Sequence, residues 1–538
     1  MPADCIAYQK TGYFSKLICD YLDQKESLKP FYHRFPTADN LIEQAAEKEA
    51  WMTAHSRKQL VTALQIQYER VDASEATLAN IASLIKDKSF TITTGHQLNL
   101  FTGPLYFLYK IISVIKLTQE LKAKDPYRDY IPVYWMATED HDFDEINYFN
   151  FQGKKVQWNR KDGGPVGELS MEGLAAVLEQ FKTQLGSTKN AQYLIDLFKN
   201  AYIKHDNLTK ATRYLANELF KDYGLVIVDG NDAGLKYMYA PYVKRELLEG
   251  ISHKQVTEQT ASLTALGYPE QVHPREINLF YIKNGLRERI IKEGDVYVVN
   301  DTDIRFRETA TPEGRSEILE ELERHPERFS PNALLRPLFQ EVILPNLCYI
   351  GGGGELAYWF QLKSHFEAVE VPFPVLLLRN SAMIRTQKLK EKTEKLDISL
   401  EQLFLKQNEL INQKIRKISN IEIDFSEQRA FLKEQFKAMH LIAEETDASF
   451  VGAVNAQEVK QLKGLDNLEG KLLRAQKRKL RDHVDRLVEV QNAQFPRQSL
   501  QERNTNFAEF YLEFGEDLIP ALFENLEPLG GEFTVVTL

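Results

Sequence analysis

Short apolar runs closed by glycine alternate along this chain with longer stretches whose apolar residues recur at helical spacing, the pattern of a parallel sheet wrapped in helices. Ser89–Thr94 reads as a buried strand and Ile131–Ala137 as a second. Between them lies an apolar helix whose first turn is placed at Pro104. That is a βαβ unit, so the loops after both strands are expected at the carboxyl ends of neighbouring parallel strands, where open α/β sheets bind ligands. Gly224–Gly230 is another apolar run bounded by glycines, with Asp229 at its carboxyl end. Further on, Leu347–Ile350 predicts a short strand, Gly351–Gly354 a glycine turn, Glu355–Lys363 a helix and Pro374–Arg379 a final strand. Ser330-Pro331 reads as an N-cap followed by an N1 proline, opening a helix that runs through Arg336 to about Leu344.

Around this core the pattern changes. Residues 1–85 look helical, since Leu41–Ala50 and Arg57–Arg70 are rich in helix formers, and are expected to pack beside the sheet. Within residues 86–383 an insertion at about 149–310 carries a β-hairpin over Phe149–Leu169, helices over Met171–Asp222, and alternating antiparallel strands between Asn278 and Asp303. From about 384 to 500 the composition shifts to Lys, Glu, Gln and Leu. Leu389, Leu396, Leu403 and Leu410 stand seven residues apart, and Leu473, Leu480 and Leu487 repeat that period. Two such helices, with Phe425–Ile442 between them, read as an antiparallel coiled-coil arm. A narrow leucine seam seldom satisfies itself within one molecule, so a homodimer through the arm is expected; an intramolecular hairpin is the plainer reading. Residues 501–538 regain aromatics and are expected to pack back on the core, completing an α/β fold.

Composition removes several classes of function. With 538 residues, 43% hydrophobic and 27% charged, the chain is an ordinary soluble globular protein with room for a large core. No apolar run approaches the length that spans a bilayer, so no membrane partner is expected. The start, Met-Pro-Ala-Asp-Cys, lacks a cationic segment followed by an apolar one, which points to a cytoplasmic protein. Cys5, Cys19 and Cys348 are too scattered for a metal knuckle or a disulfide framework. A net charge of -10 argues against a general nucleic-acid binder. The basic cluster Lys471–Arg481 has leucines at helical spacing and reads as the cationic face of a solvated or paired helix.

The chemistry concentrates in two loops and a turn. Thr94, Gly95, His96, Gln97 and Asn99 follow the first strand. Glycine there lets the backbone approach a ligand, and His96 could stabilise developing negative charge or donate a proton; a histidine capping a turn is the bland alternative. Glu139–Glu145 (Glu-Asp-His-Asp-Phe-Asp-Glu) crowds five carboxylates around His141 at the end of an apolar strand, suiting general base catalysis, ammonium recognition or Mg²⁺. As a transition-metal site it is poor, because neighbours on an extended loop point in different directions. Gly351, Gly352, Gly353 and Gly354 before Glu355 look like a close-approach surface, although they match neither the P-loop nor the dinucleotide fingerprint. Arg336, bracketed by apolar residues, is placed to project a cation towards that turn, with a structural salt bridge as the equal alternative.

Taken together, Thr94-Gly95-His96-Gln97 with Phe101–Tyr106, Trp135–Ile146, Leu334–Pro337 and Gly351–Glu355 closely resemble the bacillithiol biosynthesis cysteine-adding enzyme family, over essentially the whole chain. The resemblance implies a Rossmann-like core with connecting insertions and a coiled-coil dimerisation domain. It also implies a ligase joining the cysteine carboxylate to the amine of glucosaminyl malate. Amide formation from a free carboxylate needs activation, so ATP is the expected co-substrate, with Mg²⁺ accompanying it and no protein metal site. Thr93–His96 keeps the Gly-His pair of the class I nucleotidyl transferase signature His-Ile-Gly-His, whereas Arg379-Asn380-Ser381 stands where a Lys-Met-Ser-Lys-Ser loop would follow the last strand. Adenylation and phosphorylation therefore both stay open. If the carboxylate becomes an acyl-adenylate, His96 and the Gly95 turn would stabilise the displaced phosphates and the attacked oxygen, and Asp140 or His141 would then take a proton from the sugar amine. Glu139, Gln97, Asn99, Thr94, Arg336, Gly351–Gly354 and Glu355 complete the expected binding set. A metal-assisted amide hydrolase and a non-catalytic coiled-coil binding protein are the rival readings.

Overall fold

A computed structural model describes residues 4–160, 163–308 and 316–538. The first three residues, 161–162 within the Phe149–Leu169 segment, and 309–315 at the far end of the expected insertion lie outside them. In chain order the strands are β1 (Asp4–Ala7), β2 (Ser89–His96), β3 (Asp129–Met136), β4 (Tyr148–Phe151), β5 (Lys154–Gln157), β6 (Val226–Asp229), β7 (Leu279–Lys283), β8 (Leu286–Glu293), β9 (Val296–Val299), β10 (Arg305–Arg307), β11 (Phe329–Pro331), β12 (Asn346–Gly351), β13 (Val375–Leu378), β14 (Ala382–Arg385) and β15 (Glu532–Thr537). The chain divides into two compact units, residues up to Ile384 with Leu500–Leu538, and Arg385–Ser499.

The first unit is built on a parallel sheet in the order β13-β12-β2-β3-β6. β2 and β12 are buried along their whole length, which is why their sequences are apolar or small on both faces. Phe90 and Ile92, Cys348 and Ile350, and Val375 and Leu377 alternate onto one face. There they meet Val114, Leu117 and Leu121 of the helix Tyr106–Lys124 and Leu41 and Ala45 of the helix Ala38–Trp51. Parallel register brings the strand ends level, with Gly95 opposite Trp135 and His96 opposite Met136. The insertion supplies an antiparallel sheet in the order β10-β9-β8-β7-β11 and the hairpin β4-β5.

Several local expectations need correction. Ser330 and Pro331 do not open a helix: they lie in β11, where Ser330 pairs with Phe280. β11 is an edge strand, the position in a sheet that tolerates proline's missing donor. The helix begins at Arg336 with Pro337 in its first turn, after Asn332 Oδ1 has accepted the amides of Leu334 and Leu335. Pro104 stands two residues before the helix Tyr106–Lys124, outside its first turn. Gly351 ends β12, Gly352 is the N-cap, and Gly353 and Gly354 already belong to the helix Gly353–Trp359, which stops short of Lys363. Pro374–Arg379 is not the final strand either. β14, β15 and β1 form a further sheet, so the stretch read as helical starts with a strand paired antiparallel to the chain's last one.

The second unit is helical, and its central element is Ala448–Lys479, 32 residues long. Ser426–Glu444 folds back along it through a short link, burying Phe436, Ala443 and Val454. The first leucine row does not lie on one helix. Gln387–Lys395, Leu400–Leu403 and Gln407–Ile418 are separate, because Asp397 takes a left-handed conformation (φ 50°) and Ser399 caps the next helix with Gln402. The seam is also closed within the chain. Leu403, Leu410 and Leu487 are fully buried, and Leu473 packs with Ile411, Ile415 and Ile423. The argument that unsatisfied leucines demand a second chain therefore fails.

Candidate active site

A cleft of about 1130 Å³ opens over the carboxyl ends of β12, β2 and β3. It gathers His96, Asp140, His141, Gly95, Gln97, Asn99, Glu139, Arg336, Gly352, Gly353, Gly354 and Glu355 from segments more than 250 residues apart. Thr94 and Gly351 are not among its walls. Thr94 Oγ1 donates to the Ile350 carbonyl at 2.7 Å and so ties β2 to β12 behind the site. Gly351 is filled from inside, since a methyl group there would stand 2.9 Å from the Tyr349 ring.

At one end, the Gly95 turn and the glycine turn share a buried polar core. Lys110, the single cation on the apolar face of its helix, donates to the Gly95 carbonyl at 2.6 Å and pairs with Glu355 at 2.6 Å. Glu355 also accepts from the Gly352 amide at 2.8 Å and from the Tyr349 hydroxyl at 2.7 Å. Burial pushes this carboxyl up, but Lys110 and these donors outweigh it and hold the pKa at about 2. Gly95 is closely packed: a methyl group would approach the Tyr349 hydroxyl to 3.2 Å, a tight contact, and Arg336 Nη1 to 3.8 Å. Arg336 is thus beside the His96 turn, donating to Gln340 and Tyr358, with no carboxylate at ion-pair distance among the described residues.

His96 is buried, and its pKa is lowered to about 3 by burial and by Lys110 nearby. The Thr102 backbone hydrogen-bonds the ring in the sense that favours its proton, which is a carbonyl accepting ring N–H. Nε2 is left without a partner among the described residues. The lowered pKa and the Thr102 contact favour a neutral ring that offers the cleft a lone pair at Nε2, whereas both uses read from the sequence, stabilising negative charge or donating a proton, need a hydrogen there. Its loop is strained to make this contact. Phe101 and Thr102 both have positive φ, at 48° and 67°. The Tyr202 hydroxyl, from the insertion, accepts the Phe101 N–H at 2.8 Å, and Asn506 Nδ2 donates to the Phe101 and Gly103 carbonyls at 2.7 and 2.6 Å.

Arg379 stands across Tyr106 from His96. Its guanidinium carbon is 4.9 Å from the Tyr106 ring centre, and the His96 and Tyr106 rings meet edge-on at 5.4 Å. Glu502 neutralises it at 2.7 Å, and Nη1 donates to Asn380 and Ser381. Nε, also buried, has no acceptor among the described residues. A methyl group on Gly352 would lie 3.7 Å from it, so the glycine leaves that N–H uncovered.

At the other end the acid loop is braced rather than free. Gln97 Nε2 donates to Asp140 at 2.9 Å and to Glu145 at 2.8 Å, and Asn99 donates to the Glu145 carbonyl. Glu139 pairs with the buried Lys236. Asp229, raised by burial, accepts from Thr138 and holds the root of the loop outside the cleft. Asp140 Oδ1 accepts the His141 amide at 2.8 Å. His141 itself is half-exposed, its pKa lowered by burial and by Arg287, whose Nη1 lies 2.6 Å from Nδ1. Among the described residues no group of three or more His, Cys, Asp or Glu has metal-binding geometry, and no helix is long and apolar enough to cross a membrane.

Sequence reasoning missed Lys110, Tyr106, Tyr349, Arg379 and Arg287. A lysine inside Tyr-Phe-Leu-Tyr-Lys-Ile-Ile was a readable signal, since a buried cation needs a partner. Arg287 gave none, being one charge among several on an alternating strand.

The family model for the bacillithiol biosynthesis BshC N-terminal Rossmann-like domain matches residues 1–380, and that for its C-terminal coiled-coil domain matches residues 382–538. A protein of Flavobacterium johnsoniae named "Putative cysteine ligase BshC" is 55% identical over 538 residues, covering all of both chains. Its namesake in Christiangramia forsetii is 56% identical over 541 residues, covering 100% of this chain and 99% of the relative. That of Cytophaga hutchinsonii is 37% identical over 523 residues, covering 97% and 96%. Parallel sheet, helical arm and full-length similarity agree: the chain belongs to the bacillithiol biosynthesis BshC family, with its Rossmann-like core and coiled-coil domain.

Proposed function

We propose that this chain is a ligase that joins the carboxylate of cysteine to the amine of glucosaminyl malate, the step that completes bacillithiol. The relatives' printed name supports cysteine ligation. One structural observation carries the reading to residues. Two buried polar atoms without partners among the described residues lie beside Tyr106, and they have opposite hydrogen-bonding sense: the Nε–H of Arg379 and the bare Nε2 of His96. A zwitterionic amino acid supplies the complement of both, with its carboxylate at Arg379 and its ammonium at His96. The size of the cleft leaves room for a sugar-sized second substrate towards Asp140.

A free carboxylate does not form an amide in water unless it is activated, so ATP is the co-substrate this reading requires. When bound, it would supply a phosphoryl or adenylyl group to the carboxylate, so that phosphate or AMP leaves as the amide forms. Arg336, a half-buried cation with no carboxylate at ion-pair distance among the described residues, and Arg503 at the rim are the residues suited to its phosphates. Mg²⁺ would then be held mainly by those phosphates, because Asp140 and Glu145 already share Gln97. Asp140 is the group that takes the proton released by the attacking amine. We assign the homodimer to the second unit's exposed apolar residues, among them Phe431, Leu441, Ile442, Val459 and Leu468, now that the leucine seam is closed within the chain.

The test is complementation. A bacterium lacking its own relative of this protein is given the chain, and its thiols are labelled and separated. Bacillithiol should reappear with the wild type and stay below about a tenth of that level with Arg379→Met or His96→Ala. Absence of bacillithiol with the wild type, or full levels with both variants, overturns the assignment.

A further inference from the structure

Arg287 comes from β8 in the antiparallel insertion, yet its side chain ends in the acid loop of the parallel sheet. It crosses β7 by lying on Phe280, with the guanidinium carbon 3.9 Å from the ring centre. Nε donates to Ser330 Oγ and Nη2 to the Pro331 carbonyl, each at 3.2 Å, which fixes the plane of the group. Only 8% of the residue is exposed. The remaining arm, Nη1, is 2.6 Å from Nδ1 of His141, whose ring also packs on Phe280 at 5.4 Å.

This contact has one chemical solution. A guanidinium carries donors only and keeps its proton at any pH the fold survives. Its N–H must therefore point into a lone pair, so Nδ1 of His141 is unprotonated and the ring's hydrogen is on Nε2. The competing arrangement is an Asp–His pair, in which Nδ1–H donates to a carboxylate. Asp140 Oδ1 is the available acceptor, but it stands 3.8 Å from that nitrogen, beyond hydrogen-bonding distance, and is engaged by the loop's own amide. The charged groups facing the ring are Arg287, Asp140, Asp142 and Glu288. The three acids favour a proton on the ring; Arg287 and burial oppose it, and they prevail.

We infer that Arg287 is a positioning residue that holds His141 in its neutral Nε2–H form, so that His141 gives a hydrogen bond to the substrate instead of taking a proton from it. His141 has no lone pair left to offer, since Nδ1 is filled by Arg287 and Nε2 carries hydrogen. It lines the cleft with half its side chain exposed. In the ligation proposed above, on which this role rests, Nε2–H would meet an oxygen that gains negative charge as the amine attacks. Proton removal then belongs to Asp140 alone. The antiparallel insertion thereby becomes part of the catalytic apparatus, because it sets the hydrogen-bonding sense of a residue on the core sheet.

The tautomer can be read without any assay of ligation. The full chain is labelled with ¹⁵N-histidine, the His141 signals are assigned by their loss in His141→Gln, and long-range ¹H–¹⁵N spectra are recorded between pH 5 and 8. In the wild type Nδ1 should resonate as an unprotonated acceptor and Nε2 as an N–H, with the titration midpoint below that of an ordinary histidine. In Arg287→Gln the midpoint should rise by at least half a unit and Nδ1 should gain N–H character, whereas Arg287→Lys, still a donor, should stay close to the wild type. A protonated Nδ1 in the wild type overturns the inference, as does a folded Arg287→Gln with an unchanged tautomer and midpoint. Should the chain prove not to be a ligase while the spectra come out as expected, the positioning role stands and only its use in ligation falls.

Discussion

Replacing Lys110 with methionine keeps the length and apolar stem of the side chain and removes its charge. In the fold Glu355 titrates at about 2, against an ordinary 4.5. At about 1.4 kcal/mol per unit, that shift corresponds to about 3 kcal/mol of stability at neutral pH. The Gly352 amide and the Tyr349 hydroxyl carry part of it, and Glu355 retains 27% side-chain exposure, so water takes up some of the lost interaction. The expected loss is about 2 kcal/mol at pH 7. Its pH dependence has a definite sign. A carboxyl with a depressed folded pKa stabilises fully above about pH 4.5, and that contribution drains away as pH falls through about 2. The gap between wild type and Lys110→Met should therefore narrow to about 1 kcal/mol near pH 3. Urea unfolding followed by tryptophan fluorescence suits the measurement, because Trp51, Trp135, Trp158 and Trp359 all lie in the first unit and the arm is silent. A second substitution, Glu355→Gln, should recover about half the loss. An equal gap at pH 7 and pH 3, with no recovery, would show that Lys110 acts through packing and that the ion pair is not the cause.

The glycine turn should divide into two behaviours: Gly351→Ala collides with the Tyr349 ring and lowers the melting temperature by several degrees, whereas Gly352→Ala folds normally and loses bacillithiol formation, since its methyl group covers Arg379 Nε. The reverse pattern would make the turn structural throughout. His96→Gln should flatten the acid side of the stability profile. The unfolded chain takes up a proton near pH 6.5 that the folded ring refuses until about 3, so wild-type stability falls as pH drops through that window by up to about 2 kcal/mol at pH 5; an unchanged profile in urea titrations would place a protonated His96 in the fold. In the arm, Leu473→Glu with Leu480→Glu should melt helix in circular dichroism, because the seam is internal. Leu441→Lys with Val459→Lys should give folded monomers in sedimentation. A dimer that persists in the latter pair moves the interface elsewhere.

Local signals and long-range geometry contributed differently. The parallel core was legible because strands buried on both faces avoid charged side chains, as Ser-Phe-Thr-Ile-Thr-Thr of β2 and Leu-Cys-Tyr-Ile of β12 do, and because glycines mark the turns that follow them. The Gly95–His96 turn, the Glu139–Glu145 loop and the glycine turn could be placed at strand ends for the same reason, and the βαβ rule put two of them on the same edge. Strand pairing across the whole chain had no such local mark: β1 is four residues long and finds its partner at the far end of the sequence. The leucine period fixed helical character in the arm but not its breaks, which depend on Asp397 and Ser399, nor the partner that covers each leucine. The electrical state of the site lay further out of reach. Whether His96 offers a proton or a lone pair depends on a carbonyl held in a strained loop by Asn506, and the sense of His141 depends on an arginine from another sheet. A sequence determines which groups a chain owns and the local periodicities that bury its backbone. Hydrogen-bonding sense and ionisation are set by whatever the fold brings within 3 Å, and here the hydrogen bonds that hold the site's loops reach across up to 405 residues of sequence.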